Sequence, residues 1–158
     1  MAILRQLPMR VGPDWVSELP PQFEINQRLA YGSTQLPNGT GVCGATIYQL
    51  SKAQSQDIAR SGVATLSDDM RGPDGLKYGD WESTPIPKEV YERYVLQTND
   101  PPVGLSCSHG TWQKEWRIVA QTSNNLYSTN GKSLILLDIS ENKDTPRRFV
   151  QVGYFYNP

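Results

Sequence analysis

The 158-residue chain has one histidine and two cysteines, and these shortages exclude much chemistry. A Ser-His-Asp site would have to use His109, and any site built on two or more histidines is ruled out. Closed structural zinc needs four ligands; Cys43, Cys107 and His109 supply three, so a carboxylate would have to complete the set. An open site of the same three residues and water is formally allowed, with no C-x-x-C spacing to support it. Long apolar runs are also missing. Leu134 to Leu137 is far too short to cross a bilayer, and Pro8 and Arg10 interrupt the amino-terminal MAILRQLPMRVGPDW before it can act as a secretory signal. No charge sign dominates: 15 Lys and Arg against 16 Asp and Glu leave a formal net charge of -1. That is too little positive field for nucleic acid or an anionic membrane as main partner. The expectation is a cytoplasmic chain with Cys43 and Cys107 reduced. Export would instead make one disulfide the expectation.

The length suits a single domain spanning 1–158. Along it, DWVSEL and QFEINQRLAY are separated by Pro20-Pro21. The second segment carries both strand and helix spacing, and is read as helix. GSTQLPNGTG, residues 32 to 41, is a loop of turn formers, and VCGATIYQL predicts a strand over 42–50. Ser51 and Gln54 form a capping box for a helix over 52–61, ended by Gly62, with a short strand expected over 63–66. A second helix is predicted over 87–97, opened by Pro87 and stopped before Pro101-Pro102. The remainder reads as β: VGLSC, KEWRIVAQT, LYST, SLILLDI and RRFVQVGYFY, with a hairpin turn at Asn130-Gly131. Its interior is expected to draw on Trp116, Ile118, Leu134, Leu136, Val150 and Val152. Leu134 to Leu137 are apolar on both parities, as in a strand covered on both faces. The predicted fold class is α+β, an antiparallel sheet ending in a carboxyl-terminal meander, with two or three short helices packed on one face.

Four features carry possible chemistry. Gly39-Thr40-Gly41-Val42-Cys43-Gly44 matches G-x-G-x-x-G, but a loop precedes it and a strand follows, the wrong context for a dinucleotide. Cys107 and His109 share one strand face about 7 Å apart, from a rise of about 3.3 Å per residue, too far for direct contact without a bend at Gly110. They are the candidate nucleophile and base of an enzymatic reading, set against a buried cysteine beside a turn histidine. Asp100, Glu115 and Asp138 fall near expected strand ends and offer carboxylates for acid and base work. The fourth feature is the polar stretch from residue 67 to 86, which is long for a structureless connection in a compact domain and hence is either functional or disordered. Its acidic residues do not fit a calcium loop, while Tyr78 and Trp81 are anchors that a disordered linker would lack.

The leading expectation is a non-catalytic protein-interaction module, of inhibitor, immunity or assembly type. It would bind through Asp69, Tyr78, Asp80, Trp81 and Glu82, with no metal or cofactor, to another protein presenting a basic face. Two alternatives stand beside it: a small hydrolase or transferase using Cys107 and His109 or a carboxylate pair, and a small-ligand binder with its pocket between the sheet and the 88–96 helix. Exposure decides the role of Trp81, since a residue folded back on the core is scaffold.

Overall fold

The computed structural model describes residues 17–35, 41–66, 69–97, 111–139 and 149–157. Its framework is a six-stranded antiparallel sheet. In chain order the strands are β1 (Ile25–Gln35), β2 (Val42–Leu50), β3 (Glu82–Ser83), β4 (Leu126–Thr129), β5 (Ser133–Asp138) and β6 (Gln151–Tyr156). In space they run β1-β2-β6-β5-β4-β3. The helices are α1 (Lys52–Ser61), α2 (Lys88–Val90), which continues as a π-helical turn over Tyr91–Val95, and α3 (Gln113–Gln121).

The α+β class is as expected, but the helices divide between the two faces of the sheet. Strand side chains alternate, so Tyr48, Leu50, Ile135, Leu137 and Val152 face one way and meet Ile58 of α1, with Leu66, Met70 and Phe23. Ala45, Ile47, Leu134, Leu136 and Phe155 face the other way and meet Tyr94, Val95, Trp116 and Ala120. Every residue of β5 is therefore buried, which is why its apolar run respects no parity. Gly153 makes room on the second face: a Cβ there would lie 3.0 Å from Trp116 Cε3. The turn between β4 and β5 forms at Asn130-Gly131 as predicted, Gly131 taking φ +92° and Asn130 Oδ1 accepting from the Lys132 and Ser133 amides.

α1 has the predicted bounds, and Ser51 Oγ accepts from Gln54 N at 3.1 Å. The reciprocal half of the capping box does not form. The Gln54 side chain instead takes the Glu24 amide at 2.7 Å and donates to Gln22 O at 2.7 Å, tying the incoming chain to the helix start. Ser55 Oγ accepts from Val150 N at 2.7 Å and fixes the same helix to the sheet.

Three expectations are corrected. Residues 25–35 are strand rather than helix, and the strand runs on through Gly32 to Gln35, read from sequence as loop; its register shifts twice, between Ile25 and Gln27 and between Arg28 and Ala30. These bulges explain why the period of two is hidden. Residues 64–66 form a 3₁₀ turn and not a strand. Residues 113–121 are helix, and Ile118, expected in the interior, is 58 % exposed. The helical signal is Trp112, Trp116, Val119 and Ala120, which line the packed side. VGLSC lies outside the described residues.

Candidate functional site

From residue 69 onward, the stretch read as a long polar loop is ordered by hydrogen bonds. Arg71 and Lys77 form an antiparallel bridge, closed by a turn in which Gly75 N donates to Gly72 O at 2.9 Å and Gly75 adopts φ +81°. Asp74 Oδ1 accepts from Leu76 N at 2.9 Å. Arg71 reaches Asp69 Oδ1 at 2.8 Å and Gly75 O at 2.9 Å. Below this small hairpin, Tyr78 N donates to Met70 O, Gly79 N donates to Thr129 O, and Ser128 Oγ donates to Gly79 O. β3 then pairs with β4 as the edge of the sheet, Glu82 opposite Tyr127 and Ser83 opposite Leu126.

This framework separates the five sequence-derived binding residues. Asp69, Asp80 and Glu82 are exposed. Tyr78 is 4 % exposed, its ring in the core and its hydroxyl 2.5 Å from Ser133 Oγ; burial pushes its pKa to about 12. Tyr78 therefore builds scaffold and offers no contact area. Trp81 is half-buried against the core, and its indole Nε1 is buried with no hydrogen-bond partner among the described residues. Between the turn after α1 and this segment lies a cleft of about 370 Å³, lined by Val63, Ala64, Lys77 and the residues 78–81.

The other candidates do not converge. Cys107, His109 and Asp100 lie outside the described residues. Glu115 sits in the first turn of α3 and not at a strand end, while Asp138 is buried at the end of β5. Cys43 is disulfide-bonded, which corrects the expectation of reduced thiols; the chain's other cysteine is Cys107. Among the described residues no group of three or more His, Cys, Asp or Glu is placed to hold a metal, and no helix is long and apolar enough to cross a membrane. Where a pocket was expected between the sheet and the 88–96 helix, Tyr94 and Val95 pack against Leu134, Leu136 and Phe155.

One cluster had no signal in the sequence, because strand pairing alone assembles it. Thr46 lies opposite Tyr154, and Tyr154 opposite Ile135; Gly44 lies opposite Tyr156, and Tyr156 opposite Ser133. The half-buried Glu18 joins this face. Its carboxylate accepts from the Tyr48 hydroxyl at 3.1 Å and from Thr46 Oγ1 at 3.5 Å. Burial raises the Glu18 pKa, against the pull of those two hydroxyls and of the more distant Arg28 guanidinium. Tyr48 is pushed up to about 12, first by burial and then by the Glu18 charge; Tyr156 moves upward for the same two leading reasons, and Tyr154 by burial first, then Tyr78 and then Glu18. The Tyr154 and Tyr156 rings are 5.5 Å apart at 34°, both half-buried. Compared with known proteins, the chain matches no family model, no curated protein and no solved structure.

Proposed function

We propose that this protein is a non-catalytic interaction module that recognises another protein, as an inhibitor or assembly partner, through the exposed Asp69, Asp80 and Glu82 beside Trp81. The observation that carries this reading is the order of the acidic loop. A segment with almost no regular structure is nonetheless held in one shape by bonds to Met70, Thr129 and Ser128, so little ordering entropy is lost when a partner docks. Asp69 is paired with Arg71 at 2.8 Å, so the exposed carboxylates of Asp80 and Glu82 on that fixed frame are the ones that favour a basic face on the partner. Trp81 is folded back against the core and so serves chiefly as scaffold, which leaves charge rather than aromatic burial to steer this surface. The disulfide at Cys43 favours an oxidising compartment over the cytoplasm.

A photoreactive residue placed at Asp80, with Ile118 on the opposite face as control, tests the reading in extract from the source cells. The expected result is a discrete adduct with a basic protein from position 80 only, weakened by high salt and by Asp69→Asn with Glu82→Gln. The same adducts from both positions overturn it. A second reading, a small ligand with a hydrogen-bond acceptor bound in the cleft, is favoured by the unpartnered Trp81 Nε1. It is separated from the first by Trp81→Phe, which removes that donor and leaves the acidic side chains.

A further inference from the structure

We propose that Glu18, held in place by the buried Tyr48, forms with Tyr154 and Tyr156 a binding site for an alkylammonium group, separate from the acidic loop. Glu18 has no ion-pair partner among the described residues; its carboxylate is held by two hydroxyls, from Tyr48 and Thr46, which supply dipoles and no countercharge. Arg28 acts on it from a distance, and its guanidinium lies 4.1 Å from the centre of the Tyr31 ring. A half-buried carboxylate without a close cation is unfavourable to the fold, and burial does raise its pKa.

The surroundings select the class of ligand. The sign of Glu18 disfavours anions. A hard divalent cation takes six or more oxygens, usually with several carboxylates, whereas a single carboxylate is present here among neutral hydroxyls. Zinc or copper would want nitrogen or sulfur donors. Tyrosine rings, by contrast, attract an ammonium through their negative faces, most strongly where water is partly excluded. Tyr154 and Tyr156 keep part of their surface in solvent, so the cluster is reachable. Gly44 leaves space for Tyr156, since a Cβ there would lie 2.8 Å from the Tyr156 hydroxyl.

An alkylammonium group can come from a free amine or from the side chain of a lysine, and thermal melts distinguish them. One arm adds tetramethylammonium chloride and the other Nα-acetyl-lysine methylamide, each against sodium chloride of equal ionic strength. The expected result is a saturable rise in Tm in at least one arm; the arm that responds names the source. Glu18→Gln, which keeps the shape and removes the charge, abolishes that rise and in the absence of amine melts no lower than the wild type. Tyr154→Leu raises the half-saturating concentration roughly twofold to thirtyfold. The proposal is overturned if neither amine stabilises beyond sodium chloride, if Glu18→Gln keeps the full rise, or if Glu18→Gln alone lowers Tm.

Discussion

The Tyr78 hydroxyl stands 2.5 Å from Ser133 Oγ, and Ser133 Oγ is in turn 3.1 Å from Asn130 Oδ1. The outer loop is thereby joined through its one buried aromatic ring to the β4–β5 turn. Tyr78→Phe removes one hydrogen bond and leaves Ser133 with Asn130, a loss of about 1 kcal/mol. Tyr78→Ala empties a core position and costs about 3 to 5 kcal/mol. Urea unfolding measures both. Partner binding by the folded fraction is expected to stay unchanged, in contrast to Asp80→Asn, which alters binding and leaves unfolding within about 0.5 kcal/mol of wild type.

Alkaline titration followed by tyrosinate absorbance reads the polar cluster. Tyr48 and Tyr78 are expected to ionise near pH 12, above the ordinary tyrosine value of about 10. Folded-state pKa values that lie above the unfolded value contribute stability in full below about pH 10, and that stability is lost as pH rises through about 12. Unfolding should therefore set in within that window, and tyrosinate absorbance should rise together with the loss of near-ultraviolet circular dichroism. Ionisation of both residues near pH 10 in a still-folded protein would contradict their burial.

Gly153→Ala tests the seat of α3. The new Cβ would lie 2.7 Å from Phe155 Cε2 and 3.0 Å from Trp116 Cε3, so the indole has to lift from the sheet. A loss of about 1 to 3 kcal/mol is expected, read by thermal melting and by a change in Trp116 fluorescence. Gly44→Ala is harsher, because its Cβ would meet backbone, Gly32 O at 2.3 Å, and would push β1 away from β2.

Cys43 is fully buried and disulfide-bonded, so its chemistry can be followed directly. Digestion without reductant is expected to yield a peptide pair linking Cys43 to Cys107, the only other cysteine. Reduction, or Cys43→Ala, should lower stability by about 2 to 5 kcal/mol. A chain of unchanged Tm after reduction would show that the bond is dispensable to the fold.

The parts legible in the sequence are those where local chemistry and tertiary packing agree. Ser51 caps the helix it announces, Asn130-Gly131 turns where it should, and β5 is apolar on both parities because both its faces are covered. α3 is hidden in the sequence because Trp116 and Ile118 alternate like strand residues, and this alternation masks the helical row through Trp112, Val119 and Ala120. In β1 two register shifts break the alternation that would have identified it. For the candidate site, exposure was the missing quantity: Tyr78 and Trp81 look alike in a polar stretch, and only the pairing of Gly79 with Thr129 turns one inward. Glu18 carries no signal because its hydrogen-bond partners, Thr46 and Tyr48, sit on β2, 28 and 30 positions away.

The place of β6 between β2 and β5 has a kinetic consequence. The β1–β2 and β4–β5 hairpins can each close locally, on the microsecond scale usual for such units, but neither has a direct neighbour in the other. They are joined only when residues 151–156, after every other strand in the chain, slot between them with six pairings on each side. Folding therefore waits on an insertion step with high sequence separation, of the kind that slows β-rich domains to milliseconds or longer. Until it is complete, β2 and β5 present open edges to whatever strand arrives first.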